Sequence, residues 1–115
     1  MKNLGGMGGF GNILKQAQKM AEDAKRIEDQ LAQERIEATS GGGMVKAVVT
    51  GKGEMLDIVI DPEVVDPQDV EMLQDLVVTA VREALEQAQT VREERLQDLT
   101  GGLGLPEGLN IPGLP

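Results

Sequence analysis

Two β-branched runs punctuated by glycine constrain the fold of this chain more than any other feature. They lie between two long helix-like stretches, in the segment 41–62, which reads GGGMVKAVVTGKGEMLDIVIDP. Strand-like residues occupy 35–40, 44–50 and 54–61, and the glycines at 41–43 and 51–53 supply the positive φ angles that tight hairpins require. The pattern predicts an α+β fold in which a small three-stranded antiparallel sheet is flanked by two helices.

The size of the chain bounds what it can bury. Its 115 residues fit one domain. Glycine-rich ends predict a flexible N-terminal tail at 1–12 and a flexible C-terminal tail at 101–115, around a packed domain at 13–100. So short a domain buries little apolar surface by itself. Dimerisation is a physically reasonable way to bury more of it.

The composition excludes most enzyme classes. The chain has no Cys and no His, so it cannot form a disulfide, a thiolate or imidazole metal site, or a nucleophile–His pair. We expect a protein that is not an enzyme, with no metal, no cofactor and no small-molecule substrate. No stretch approaches the ~18 apolar residues of a membrane span, which predicts a cytoplasmic protein that has no membrane partner.

Charge is distributed unevenly along the sequence. Residues 1–60 hold 8 Lys/Arg and 8 Asp/Glu, whereas residues 61–115 hold 3 and 12, so the second half carries the whole net charge of −9. Phosphate binding needs positive charge, and this excess of acid argues against generic affinity for nucleic acid.

The first helix is predicted to begin at Asn12, a suitable N-cap, and to continue to about Glu34 without Gly or Pro. Its apolar residues recur at alternating spacings of four and three, which is the heptad seam of a helix that packs lengthwise against another. The seam comprises Ile13, Ala17, Met20, Ala24, Ile27 and Leu31.

Three cations line the opposite face of that helix. Lys15, Lys19 and Arg26 fall within about 40° of one another if each residue turns the helix by about 100°. Glu22 and Asp23 lie close by and can pair with these cations, so the residues alone also fit an ordinary solvated face.

The second helix is predicted to start at 66–69, with Asp66 as N-cap and Pro67 in the first helical position. Its apolar stripe is wider than a coiled-coil seam, so it should meet both the sheet and another helix. The stripe comprises Leu73, Leu76, Val77, Ala80, Val81, Ala84, Leu85 and Ala88.

Several short motifs occur in the order found in a known family. They are a Gly/Met-rich start, KQAQKM at 15–20, GGGMVK at 41–46, GKGE at 51–54, IDP at 60–62, DVEMLQDL at 69–76 and LTGG at 99–102. Together they span nearly the whole chain, which resembles the YbaB/EbfC family of bacterial nucleoid-associated proteins.

The resemblance implies an α-β-β-β-α protomer that forms an intertwined, tweezer-like homodimer and binds double-stranded DNA with its projecting helices. It implies a location in the nucleoid and an architectural or regulatory role. It also favours the basic face as a set of phosphate contacts. The expected DNA-binding residues are Lys15, Gln18, Lys19, Lys25, Arg26, Arg92 and Arg95.

A second interpretation remains open at this point. The acidic second half and the apolar tails also fit an adaptor that binds DNA replication or recombination proteins. DNA binding is compatible with the net charge because the Debye length is only about 8 Å at physiological salt, so that a local basic strip can attract phosphate.

Overall fold

The chain folds into two long helices and one small sheet. The computed structural model describes residues 3–101, with side chains for residues 9–99. Its elements are α1 (Asn3–Gln33), β1 (Arg35–Ser40), β2 (Val45–Thr50), β3 (Met55–Ile60) and α2 (Val70–Gly101), with short 3₁₀ turns at Gly41–Gly43 and Pro62–Val64. The α+β class and the order α-β-β-β-α are confirmed.

The sheet is a simple antiparallel meander with β2 in the centre. Ala47 of β2 faces Ala38 on one side and Ile58 on the other, and the register shifts between Val48 and Val49 where β3 pairs with β2. Each strand lies within a residue of its predicted limits, because alternating β-branched residues bounded by glycine leave little choice of register.

The two glycine turns use their glycines differently. Gly41, Gly42 and Gly43 all have positive φ, as predicted, and so does Gly53 at 84°. Gly51 does not, and its reason is space: an added Cβ would lie 2.8 Å from the carbonyl oxygen of Leu31. The N–H of Gly51 donates a hydrogen bond to that same oxygen at 2.8 Å, which attaches the end of β2 to the end of α1.

The core lies between α2 and one face of the sheet. Ala80, Ala84 and Ala88 form a stripe of small side chains that lets α2 approach the strands closely, and all three are buried. They meet Val45 and Ala47 of β2, among other buried residues. Leu73, Leu76, Val77 and Val81 are partly buried against this cluster. The hydroxyl of Ser40 donates to the carbonyl oxygen of Leu76 at 2.5 Å and fixes β1 against the helix.

The start of α2 differs from the prediction. The helix begins at Val70, and Asp69 is its cap, because Asp69 Oδ1 accepts a hydrogen bond from the N–H of Met72 at 3.2 Å. Asp66 Oδ1 instead accepts from the N–H of Gln68 at 2.9 Å. Asp66 and Pro67 therefore form a turn that precedes the helix, so the prediction of Asp66 as N-cap was wrong.

The start of α1 also differs. The helix begins at Asn3 and not at Asn12. Each glycine costs a helix about 1 kcal/mol relative to alanine, but no proline interrupts residues 3–11, and extending an existing helix adds one hydrogen bond per residue. Residues 3–12 of the predicted N-terminal tail thus belong to α1, so that the helix starts before the predicted domain limit at residue 13. Residues 1–2 and 102–115 lie outside the described part of the chain, and the flexible C-terminal tail stays a prediction.

Candidate nucleic-acid interface

Helix α1 projects beyond the rest of the molecule. The protein measures 81 Å along its longest axis, whereas a 31-residue helix such as α1 is only about 46 Å long. Two helices of this length placed end to end would measure about 90 Å, so α1 and α2 lie side by side over part of their lengths. The predicted seam shows the same division: Leu31 is fully buried, Met20, Ala24 and Ile27 are half-buried, and Ile13 is 62% exposed.

The basic face of α1 lies on the side turned away from this seam. Lys15, Lys19 and Arg26 are exposed, and at about 1.5 Å per residue they span about 16 Å of helix axis. Lys15 and Lys19 form no ion pair with any residue that the structure describes, and neither does the adjacent Lys25. The exposed Gln18 adds a hydrogen-bonding side chain at the same level.

Nearby acids reduce the positive charge of this face only in part. Arg26 Nη1 lies 3.2 Å from Asp23 Oδ1, but the Arg26 side chain is 64% exposed. Such surface pairs contribute about 0–1 kcal/mol, and the arginine can exchange Asp23 for a phosphate at little cost. Glu22 lies between Lys19 and Arg26 on the helix surface, which leaves three cations and one acid along the line.

Arg92 and Arg95 are placed differently from the expectation that they reach toward DNA. Arg92 Nη2 lies 2.8 Å from Glu28 Oε1, and Arg95 pairs with Glu34. Arg92 thus joins α2 to α1, and Arg95 joins α2 to the residue that directly follows α1. Sequence reasoning missed the two glutamates, because nothing local marks a partner more than sixty residues away along the chain.

Two further exposed cations were not anticipated. Arg35 starts β1 and pairs in register with Thr50, and Lys52 follows directly in the β2–β3 turn, so both lie at the end of the sheet that meets α1. Neither forms an ion pair with the described residues. Neither belongs to a helix pattern, which concealed them. Arg35 follows the end of α1 along the chain, whereas only the folded sheet brings Lys52 to the same place.

The outer surface of α2 has the opposite character. An open groove of about 500 Å³ is lined by Glu83, Glu86, Gln87, Thr90, Val91 and Glu94. Three carboxylates in one groove repel phosphate, and with the Debye length near 8 Å this repulsion stays local. Of the two helices, α1 is the one that can approach a polyanion.

The described residues offer no other chemistry. Within 3–101, no group of three or more acidic, His or Cys side chains is arranged to hold a metal ion. The helices in that range are also too polar to cross a membrane.

Comparison with known proteins identifies the family. The model of the YbaB/EbfC DNA-binding family matches residues 7–103. The chain belongs to the YbaB/EbfC DNA-binding family. The resemblance noted in the sequence motifs is thereby confirmed. This family is defined by DNA binding and is not a class of enzymes.

Curated relatives of the chain carry the name nucleoid-associated protein. One from Acetivibrio thermocellus is 48% identical over 114 residues, and the match covers 96% of both chains. Another from Streptomyces avermitilis is 49% identical over 111 residues, again with 96% of both chains covered.

A solved structure supports the fold. An uncharacterized protein of Helicobacter pylori superposes with a TM-score of 0.68 over 80% of this chain and 94% of its own. Its sequence is 24% identical, so this likeness speaks for the fold alone.

Proposed function

We propose that this chain is a nucleoid-associated protein that binds duplex DNA as a homodimer, with α1 as the arm that contacts phosphate. The observation that carries the proposal is the set of unpaired lysines on the projecting part of α1, facing away from the apolar seam. The contacts are assigned to Lys15, Lys19, Lys25 and Arg26, with Gln18 beside them. Arg92 and Arg95 act indirectly, by holding α1 against α2.

Local charge explains how an acidic protein can bind DNA. Between residues 9 and 33 the four cations of α1 equal its four acids in number. Glu28 is neutralised by Arg92 from the other helix, and Asp23 by Arg26. The exposed side of α1 is therefore positive. The excess of carboxylates lies on α2, and much of α2 is several Debye lengths away from the basic face of α1.

An apolar surface supports the homodimer. Val78 is 50% exposed and Leu85 39%, and together with Val81 they line an open groove of about 420 Å³ on α2. Met55, Leu56 and Val59 of β3 are also exposed by nearly half. Apolar residues left open on two elements of a small domain are typical of a surface that a second copy covers. A dimer would present two basic arms to one duplex.

The test is DNA binding at a series of salt concentrations. Anisotropy of a labelled duplex of about 30 base pairs would be compared for the native protein, Lys15→Gln/Lys19→Gln, and the control Gln74→Glu/Thr79→Glu. The control lowers the charge by the same two units, at exposed positions in the first part of α2. Each phosphate contact contributes about 0.9 to the slope of log affinity against log salt, so the lysine variant should lose about 3–4 from the slope of a dimer.

Equal slopes for the lysine variant and the native protein would overturn the assignment to α1. The control should bind with a nearly native slope, because its new charges lie away from the DNA. A control that loses as much affinity as the lysine variant would show that net charge, and not the basic face, governs binding. The comparisons already favour DNA binding over the adaptor alternative.

A further inference from the structure

One side of α2 packs first against the sheet and then against the end of α1. Ala88 belongs to the core between α2 and the strands. Arg95 lies seven residues further on, which is about two turns and therefore the same side of α2, and it pairs with Glu34 directly after α1. Arg92 holds Glu28 within α1. The sheet and α1 thus follow each other along one side of α2, in a molecule that measures 81 × 28 × 17 Å.

The basic face of α1 is turned away from α2. Glu28 faces α2, because it pairs with Arg92. At about 100° per residue, Glu28 lies about 140–180° around the helix from Lys15, Lys19 and Arg26. These three exposed cations therefore point to the side of the molecule opposite α2.

Arg35 at the start of β1 points to the same side. Ile36 and Ala38 pack against the core that α2 forms with the sheet. Successive side chains of a strand alternate between its two faces. Arg35, directly before Ile36, therefore belongs to the face of the sheet that is turned away from α2, and it is exposed.

Lys52 is held beside Arg35 by the buried Thr50. Thr50 lies opposite Arg35 in the register of β1 and β2. Its hydroxyl oxygen accepts hydrogen bonds from the N–H of Lys52 at 3.2 Å and from the N–H of Glu54 at 3.1 Å. These bonds close the β2–β3 turn with Lys52 at its tip. The exposed Lys52 side chain has a flexible four-carbon stem and can reach the same side as Arg35.

We propose that Arg35 and Lys52 form a second phosphate-binding site, so that one duplex lies along α1 and also contacts the end of the sheet. The inference rests on the proposed function and extends it. From the level between Lys15 and Lys19, about 24 Å of helix leads to Gln33, and the two residues to Arg35 add about 6 Å. The sum of about 30 Å is close to one turn of B-DNA, about 34 Å, after which a duplex presents equivalent phosphates to a straight surface again.

The distribution of charge along this side favours two separate contacts. Among the described residues, four cations there form no ion pair, and they lie at the two ends: Lys15 and Lys19 at one, Arg35 and Lys52 at the other. Arg26, between them, shares Asp23. The exposed acids on this side are Glu22, Asp29 and Glu54, two of which lie between the ends. Positive charge is therefore concentrated at each end, where phosphate is attracted locally.

Photocrosslinking tests the second site directly, since the chain has no native cysteine. Benzophenone maleimide would be attached to Lys52→Cys, to Gln18→Cys on α1 and to Gln74→Cys on α2, and each conjugate irradiated with a labelled duplex of about 30 base pairs. Conjugates at 52 and 18 should crosslink to DNA, whereas the conjugate at 74 should not. Gln74 lies near Leu76, whose carbonyl oxygen binds Ser40 at the other end of β1 from Arg35.

The outcomes separate this inference from the proposed function. Crosslinking from Gln18→Cys alone would overturn the second site and leave the assignment of α1 standing. Crosslinking from none of the three conjugates, or equally from all three, would overturn both.

Salt dependence gives a second measure that introduces no thiols. Arg35→Gln/Lys52→Gln removes two contacts per protomer and four per dimer, so the slope of log affinity against log salt should fall by about 3–4. The control Gln74→Glu/Thr79→Glu changes the charge by the same two units and should keep a nearly native slope. A native slope in Arg35→Gln/Lys52→Gln, together with a reduced slope in the lysine variant of α1, would refute the second site alone.

Discussion

Arg92 holds Glu28 with two donors at once: its Nε lies 3.0 Å and its Nη2 2.8 Å from the same carboxylate oxygen. The pair connects the two helices across 64 residues of sequence. It is also one of the contacts that fix how far α1 extends past the end of α2. Its contribution to the arm is therefore positional.

Arg92→Ala and Glu28→Gln should destabilise the protein to a similar extent. The two side chains are 49% and 28% exposed, and pairs of this kind contribute up to about 1 kcal/mol. Denaturant unfolding of both single variants and of the double variant measures the coupling, and the double variant should lose little more than either single one. If Arg92 instead contacts phosphate, Arg92→Ala alone would reduce the salt slope of DNA binding.

Gly51→Ala should be costly for a steric reason. Its Cβ would lie 2.8 Å from the Leu31 carbonyl oxygen and 2.9 Å from a methyl carbon of the same residue. Forcing extra volume into such a contact costs about 1–3 kcal/mol. Thermal unfolding would show the loss.

Gly42→Ala is the informative comparison for that variant. Gly42 has φ of 69° and open space around its Cα, so the added methyl group meets strain of about 1 kcal/mol and no clash. Both variants should be less stable than the native protein, but only Gly51→Ala should loosen the junction between β2 and α1. Lower protection of the amide of residue 51 in Gly51→Ala, with native protection of the same amide in Gly42→Ala, would show this difference.

Asp69→Ala should destabilise α2 more than Asp66→Ala does. Removing an N-cap side chain costs about 0.5–2 kcal/mol, and it is Asp69 that accepts from the N–H of Met72. Asp66 supports only the preceding turn. Urea unfolding of the two variants ranks them. A larger loss of unfolding free energy in Asp66→Ala would show that Asp66 is the N-cap, as the sequence pattern predicted.

Val78→Asp/Leu85→Asp should dissociate the proposed homodimer. Burying each of these side chains contributes about 1.5–3 kcal/mol, so replacing both with charge should raise the dissociation constant by at least about a hundredfold. Sedimentation equilibrium measures the change. Thr79→Asp, an exposed position on another side of the same helix, is the control and should remain dimeric if the native protein is. A native protein that sediments as a monomer would refute the dimer itself.

Local pattern was sufficient to predict the strands and the existence of both helices. Alternating β-branched residues between glycines fix strand limits, and heptad spacing marks Leu31 and Ile13 equally well as seam residues. The same pattern could not show that Leu31 is buried and Ile13 exposed. That difference depends on where α2 ends relative to α1, which is a property of the folded chain.

The candidate site shows the same limit. Lys15 and Lys19 were predicted from their shared helix face, and the fold leaves them exposed. Arg92 and Arg95 looked equally suitable, but their role depends on Glu28 and Glu34, which only folding brings near. At the start of α2, Asp66 and Asp69 both satisfy the preference for a cap, and the hydrogen bond to Met72 decides between them.

The hydrogen bond between Gly51 and Leu31 makes the junction of α1 with the sheet a narrow one. A helix that is held along part of its length and projects beyond it behaves as a lever. Phe10 lies ten residues beyond Met20, the last half-buried residue of the seam, or about 15 Å, so a tilt of about 10° at Met20 moves Phe10 by roughly 3 Å. An arm mounted in this way can follow a curved or a straight binding partner while the packing between α2 and the sheet stays unchanged.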